Sequence, residues 1–358
     1  MSLLKATLES PLYTHLGAPP PIRFTLGGRQ EFGPHWAPLD VQIPVRQWDI
    51  QAAYARTLGN LRYGGYWAKV DKDFPFELDA SDDAMMYIRA KVRIPDYQPK
   101  TLGPLAERGR KAEDAFMALL FPTLYPTGRD LQGIWTWQEL AVAEAWGCKI
   151  LRIIEGWTHV SGDRPFIPWL RAIEQGRAME GFAGLLAKAT GNATWGQFAI
   201  RKASRTIVKY DPKAKRRTIK PLRMPGGGNP SQRAPDLAEF VCGLVRAQLY
   251  QGMRIAGDSL ISAHTDGLWK IDDNKIIPGW RSKEKAIRLR LINPQELAYR
   301  CKGESSDHYV VAGLRADRAP EFFEQSWQEI QNSVEYQGRP YTLRERDRVA
   351  PKPFPVLK

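Results

Sequence analysis

Cysteine is scarce in this chain: Cys148, Cys242 and Cys301 are the only three in 358 residues. They are odd in number and far apart, which excludes a disulfide framework and any Cys-x-x-Cys zinc knuckle, and predicts reduced, buried thiols. Long apolar runs are also missing. None approaches the roughly 18 residues that would span a bilayer. Met1 to Leu16 lacks the basic and apolar regions of an export signal and the Arg-rich pattern of a transit peptide, so a cytoplasmic protein without membrane contact is expected. There is no internal repeat and no low-complexity tail. Acid is the charge in short supply, with 39 Asp and Glu against 52 Lys and Arg, a net charge of +13 and a pI near 9.6. Cations docked on phosphates release condensed counterions, so this balance favours a polyanionic partner, nucleic acid first. An acidic protein partner, or basicity kept for solubility, is the alternative. What the chain does have is core material: 43% apolar residues and 12 tryptophans, at a length that suits two or three domains or one module built of several subdomains.

The pattern of elements is α+β. Residues 1–45 are rich in Pro and Gly and read as extended segments with a short strand near Phe24. A strand over Val45 to Ile50 runs into a helical segment, Gln51 to Leu58, which puts Asp49 at a strand end beside a helix N-terminus. Met86 to Ile94 alternates, with Met86, Ile88, Ala90, Val92 and Ile94 on one face and Tyr87, Arg89, Lys91 and Arg93 on the other, as in a sheet strand with a basic outer face. Thr136 and Glu139 have the spacing of a capping box for a helix ending at Gly147, and a strand follows from Cys148 to Ile154.

From Pro168 to Gly196 the pattern is helical throughout. Arg177, Gly181, Gly184, Lys188, Asn192 and Trp195 then fall on one stripe, which offers a cation, small residues, an amide and an indole instead of an apolar seam. Such a face suits phosphate and base; a merely solvated face is the plainer reading. Gly191, costing roughly 1 kcal/mol against Ala in mid-helix, implies close approach of another group to the backbone. Arg201 to Arg223 holds ten Lys or Arg and one acid, Asp211. Its arms, Arg205 to Tyr210 and Arg216 to Leu222, predict a protruding basic hairpin. A core helix with Asp236 in its first turn and Gly257 at its end follows. A second hairpin comes next, Asp258 to Ala263 and Leu268 to Ile271, with Asp266 at its tip. The remainder reads as a mixed segment to Gly313, a helix near Pro320 to Val334, and a basic, Pro-rich tail.

Two aspartates, one at a strand end and one at a hairpin tip, form a minimal ligand set for Mg2+, which takes one or two carboxylates and completes its octahedron with phosphate and water. In a two-metal scheme one ion activates the attacking hydroxyl and the other supports the leaving group. Spacing alone does not single these two out among 39 acids.

The flanking residues do. "WDIQAAY" at 48–54, "KATGNATWGQFA" at 188–199 and "SAHTDGLW" at 262–269 resemble, in order and interval, motifs A, B and C of family B DNA polymerases of the protein-primed phage and linear-plasmid type. "TLGG" at 25–28 is similar to the Tyr-x-Gly-Gly element of that branch. The resemblance implies a right-hand polymerase fold with an antiparallel palm, helical fingers, a small thumb and a basic hairpin insertion. Its parts would be an N-terminal segment at 1–45, palm with a first insertion at 46–160, fingers at 161–199, a strand-displacement hairpin at 200–233, palm with the motif C hairpin at 234–280, and thumb and tail at 281–358.

Carried over by position, the resemblance makes Asp49 and Asp266 the catalytic carboxylates holding two Mg2+ ions, with Mn2+ as an alternative. Tyr54 becomes the residue that lies against the sugar of a deoxynucleotide. Lys188 becomes the triphosphate cation, Asn192 and Trp195 the lining of the nascent base pair, and Arg177 a second phosphate cation. Primer and template contacts fall to Gly27, Gly28, His264, Thr265, Tyr299, Lys302, Arg216 and Arg217. The implied partners are DNA template and primer, dNTP, and a priming protein or a separate exonuclease subunit; the implied setting is a bacterial or phage-infected cell.

The sequence departs from the pattern at three places. His264 stands where motif C has its first acid, Trp195 replaces a tyrosine, and the Lys-x-Tyr element that steadies the primer end is reduced to Leu297-Ala298-Tyr299, with Arg300 or Lys302 as substitute cations. Too few residues precede Gly27 for the exonuclease domain of that branch, so proofreading is expected to be absent from this chain. Template-directed DNA synthesis is the leading expectation. A catalytically weakened DNA-binding subunit and a primase-like polymerase are the alternatives.

Overall fold

The computed structural model describes residues 20–22, 29–32, 40–64, 66–70, 85–97, 103–107, 125–160, 163–199, 204–211, 216–223, 234–293, 296–311, 314–315, 324 and 356–357. Its centre is an antiparallel sheet whose strands come from distant parts of the chain. Strand β3 (Val45–Asp49) lies between β11 (Gly267–Ile271) and β12 (Arg281–Asn293). On one side β11 continues to β10 (Leu260–Thr265) and β1 (Arg29–Phe32). On the other, β12 continues to β13 (Glu296–Cys301), β14 (His308–Val311) and β15 (Leu314–Arg315). The short strand β2 (Asp40–Val41) also pairs with β12, and β16 (Val356–Leu357) joins β2 in parallel.

Helix α1 (Ala53–Asn60) leaves the end of β3 after a sharp turn, in which Ala52 takes the left-handed conformation at φ 52°. The strand–helix junction expected around Asp49 is therefore present, with the helix starting two residues later than the pattern suggested.

A second antiparallel sheet, ordered β4 (Tyr66–Val70), β7 (Lys149–Val160), β5 (Met86–Ile94) and β6 (Arg129–Thr136), packs with helix α2 (Trp137–Ala145). The alternation along β5 holds from Ile88 on, with Ile88, Ala90, Val92 and Ile94 buried, but not at its start: Tyr87, expected on the outer face, is fully buried against Trp67 and Phe240, and Met86 is half-buried. Its basic face is not free, however. Arg89 and Lys69 pair with Glu155, and Lys91 and Arg93 pair with Asp130, at 3.2 and 2.9 Å for the latter two. The capping box is complete, with Thr136 accepting from the Glu139 N–H and the Glu139 carboxylate accepting from the Thr136 N–H.

The segment expected as one long helix is two. Helix α3 (Ile167–Arg177) and helix α4 (Gly181–Ala199) are separated by a turn that ends on Gly181 at φ 69°, a conformation open to glycine. They pack side by side, and the reason for Gly191 appears here: a Cβ on it would lie 3.0 Å from Ile173 and 3.5 Å from Ala55. The close approach is that of α3 and α1, not of a ligand.

The basic hairpin is present as β8 (Ser204–Asp211) and β9 (Arg216–Arg223), paired antiparallel in continuous register. Helix α5 (Pro235–Ala256) begins with Pro235 in its first turn, ends at Gly257 at φ 55°, and carries Leu237, Phe240, Val241, Leu244, Val245 and Leu249 as buried residues. It backs the central sheet and touches α2 through a fully buried guanidinium: Arg246 donates to Glu139 at 2.9 Å and to Glu239 at 2.5 Å.

Cys148 and Cys242 are buried as expected, whereas Cys301 is half-exposed. The strand foreseen near Phe24 and, apart from Glu324, the helix foreseen at 320–334 lie outside the described residues. Among the described residues no helix is long and apolar enough to cross a membrane.

Candidate metal centre

Asp49 is the last residue of β3, paired on one side with Gly267 of β11 and on the other with Arg281 of β12. Asp266 occupies the turn of the β10–β11 hairpin, where His264 faces Gly267 and only two residues reverse the chain. Thr265 adopts φ 49°, the positive value that a tight hairpin of this kind demands. The turn is stitched to the end of β3, since the Ile50 N–H donates to the Asp266 carbonyl at 2.9 Å. Gly267 is required for this approach. A Cβ there would lie 2.8 Å from the Trp48 carbonyl oxygen and 3.3 Å from Asp49 Oδ1.

The two carboxylates feel each other. Burial, and next the neighbouring charge of Asp49, push the Asp266 carboxyl up to about 6, against the downward pull of the Thr265 hydroxyl, which donates to Asp266 Oδ1 at 2.9 Å. Two like charges brought together in a partly dry site, with oxygen donors only, form an environment that a divalent cation would relieve. One protein cation already leans on it: Lys283 Nζ, from β12, sits 2.6 Å from Asp49 Oδ2.

Around this pair the other expected residues fall into three groups. Tyr54, on α1, is buried, and its ring stacks on Trp195 of α4 at 4.8 Å with planes 17° apart. Its hydroxyl has no hydrogen-bond partner among the described residues, and burial first, with Asp266 among the contributing charges, holds its pKa well above the ordinary value. Lys188 and Asn192 are exposed on α4, seven and three residues before Trp195. On a helix rising 1.5 Å per residue, the stripe they form with Trp195 extends roughly 10 Å outward from Tyr54. The structure thus links Asp266 to Tyr54 and Tyr54 to Trp195, with Asn192 and Lys188 exposed further along the same helix.

Arg177 does not belong to that stripe. It ends α3, on the other arm of the helix pair, with a buried Nη1 that finds no partner among the described residues.

The primer-side residues are placed less uniformly. His264 lies on β10 with Nε2 2.9 Å from Ser262 Oγ, one residue from Thr265 and two from Asp266. Tyr299 is core, not surface: it lies 5.2 Å from Trp269 and stacks on His308 at 4.9 Å. It pairs with Leu289, eight residues along β12 from Arg281, the partner of Asp49. Its ring is taken up by core packing on Trp269 and His308, and no contact joins it to either carboxylate among the described residues. Lys302 is exposed in the turn beyond β13. The lysine that does reach is Lys283, with Lys285 two residues on and paired to Asp272 at 2.6 Å. Arg216 and Arg217 open β9, opposite Asp211 and Tyr210; Gly27 and Gly28 lie outside the described residues.

Reading the sequence missed Lys283 and Gly267. Gly267 had a local signal, the Asp-Gly of a tight hairpin. Lys283 had none, because its importance comes from pairing with a strand more than 230 positions earlier.

No protein-family model matches this sequence, and no curated protein does. Solved structures do. The fold is similar to that of Phi29 DNA polymerase in its orthorhombic crystal form, with a TM-score of 0.58 at 13% identity over 84% of this chain and 56% of that one. It is also similar to Phi29 DNA polymerase complexed with primer–template DNA and incoming nucleotide substrates, at TM-score 0.55 and 12% identity over 89% and 56%. The same polymerase complexed with single-stranded DNA gives 0.57 and 12% over 89% and 60%. The chain therefore has a DNA-polymerase-like fold and spans somewhat over half the length of the polymerase it resembles.

Proposed function

We propose that this chain is a template-directed DNA polymerase of the protein-primed family B type, which transfers nucleotides from dNTP to a primer 3′ hydroxyl. The observation that carries the reading is the meeting of Asp49 and Asp266 at adjacent ends of β3 and the β10–β11 turn, beside Tyr54, whose ring stacks on Trp195 of the helix that also carries Asn192 and Lys188. Similarity to a polymerase seen with primer–template and incoming nucleotide supports it.

In this reading the central sheet is the palm, α3 and α4 are the fingers, and β8–β9 is the strand-displacement insertion. Asp49 and Asp266 would hold two Mg2+ ions, which would supply activation of the attacking hydroxyl and charge neutralisation on the departing pyrophosphate. The remaining work is positioning, which is most of what phosphoryl transfer requires. Lys188 draws in the triphosphate. Asn192 and Trp195 border the nascent base pair, and Tyr54 closes the space that a 2′ hydroxyl would need. Lys283 moves from Asp49 to the primer-terminal phosphate, taking the role that the sequence assigned to the 297–302 segment.

Extension of a DNA primer on a DNA template, with dNTP and with rNTP in Mg2+ and in Mn2+, tests the proposal. The expected result is templated dNTP addition with strong rejection of rNTP; no product in either metal would refute it. A second reading, a DNA-binding subunit without catalysis, is favoured by one contact, the Lys283–Asp49 ion pair that already neutralises one carboxylate. It predicts DNA binding that weakens with salt but is unaffected by metal, dNTP or Asp49→Asn.

A further inference from the structure

The turn between β13 and β14 places three different metal-ligating side chains together, far from the carboxylate pair. Cys301, Glu304 and His308 offer ligand atoms that all lie within 4.8 Å of one another. We propose that they form a second, separate cation site selective for Zn2+, which closes the β13–β14 hairpin with one position left for water. This inference does not depend on the polymerase reading.

The donor set decides the ion. Mg2+ takes hard oxygen ligands, whereas a thiolate, an imidazole and one carboxylate match the borderline softness of Zn2+ and its preference for four ligands. The backbone has already arranged them. Cys301 ends β13, Gly303 reverses the chain at φ 89°, and the Glu304 N–H donates to the Cys301 carbonyl at 3.2 Å. The Glu304 carboxylate folds back to accept from the Cys301 N–H at 3.0 Å. Strand pairing sets His308 opposite Tyr299, and stacking on that ring fixes the imidazole plane, so Nε2 points at Glu304 Oε2 at 2.8 Å.

Tetrahedral Zn2+ bonds of about 2.0–2.1 Å to nitrogen and oxygen separate such ligands by roughly 3.3 Å, so the pair needs only a small opening. Binding would release the thiol proton of Cys301 and any proton on the coordinating histidine nitrogen. Entry is open, because Glu304 is exposed and Cys301 is the least buried of the three cysteines. The consequence is structural: the layer so fixed runs from His308 through Tyr299 to Trp269 on β11, the strand whose first residue pairs with Asp49.

Co2+ is the probe. The full chain, stripped of metal and loaded with Co2+, is expected to show a thiolate-to-cobalt charge-transfer band and tetrahedral d–d absorption. The band should persist in the Asp49→Asn/Asp266→Asn double variant and disappear in Cys301→Ser, while His308→Gln weakens Co2+ binding at least tenfold. Zn2+ should displace the Co2+ and raise the thermal midpoint of the wild type. A wild-type spectrum without a thiolate band, which needs no variant to interpret, overturns the proposal. So does a band that survives Cys301→Ser, or a Glu304–His308 pair whose removal leaves Co2+ affinity unchanged.

Discussion

Asp266 is held under tension by its own burial and by the neighbouring Asp49. Its carboxyl is raised to about 6 from 3.8, so the folded, metal-free protein holds its proton more tightly than the unfolded chain does. Stability from this group is therefore complete below about pH 4 and lost as pH rises through about 6, by on the order of 3 kcal/mol. In denaturant titrations with a chelator present, Asp266→Asn is expected to match the wild type near pH 4 and to exceed its stability at pH 7.5. Equal stabilities at pH 7.5 would mean that the carboxylates do not strain one another. Gly267 and Lys283 belong to the same scale. Gly267→Ala drives a methyl group against the Trp48 carbonyl and should destabilise the fold and disable the centre together. Lys283→Ala should lower primer-extension efficiency roughly 10- to 100-fold, as expected for one charged contact, chiefly through weaker primer use; an unchanged rate would remove Lys283 from the site.

The elements explain which parts of this centre could be foreseen. Strand β3 with its following helix, the β10–β11 hairpin and the β8–β9 hairpin are local structures, marked by strand runs, an Asp-Gly turn and a basic stretch, and each was legible in the sequence. The stripe at Lys188, Asn192 and Trp195 was legible because a helix repeats at 3.6 residues. Arg177 was misplaced because periodicity does not register a turn: the same spacing continues across Ala178 to Glu180, where the chain in fact reverses. Gly191 was rightly singled out for a close approach to its backbone, and the structure supplies the neighbours. Since Ile173 and Ala55 close on it, Gly191→Val should cost about 1–3 kcal/mol by overpacking and should loosen α4 from α1, disturbing the Tyr54–Trp195 stack. Thermal unfolding and the fluorescence of Trp195 report both effects. The Lys-x-Tyr element was misplaced for a different reason. Which strand flanks β3 is decided by pairing between distant segments, and no local pattern records that β12 reaches Asp49 through Arg281 and Lys283.

At the scale of the whole molecule, the carboxylates are held by a sheet that is itself held from behind. Helix α5 backs the central sheet, and its Arg246 ties it to Glu139 on α2, the helix packed with the second sheet. Removing the guanidinium takes away the positive charge that lies between the buried Glu139 and Glu239. Arg246→Ala is therefore expected to cost about 3–5 kcal/mol, measured by denaturant unfolding, although it lies in neither sheet. The net charge of +13 acts at this scale as well, and the acids that pair with the cations of β5 show that it is not spread evenly over the surface. All of this serves one proposition, that Asp49 and Asp266 form the reaction centre of a DNA polymerase. Single-nucleotide incorporation on a primed DNA template in Mg2+, timed for the wild type and for Asp49→Asn and Asp266→Asn with folding verified, tests it most directly. The account predicts templated incorporation by the wild type and a loss of at least about a thousandfold in each variant, because each removes one of the two carboxylates that would hold the metal. Incorporation by either variant at a rate close to that of the wild type would contradict it.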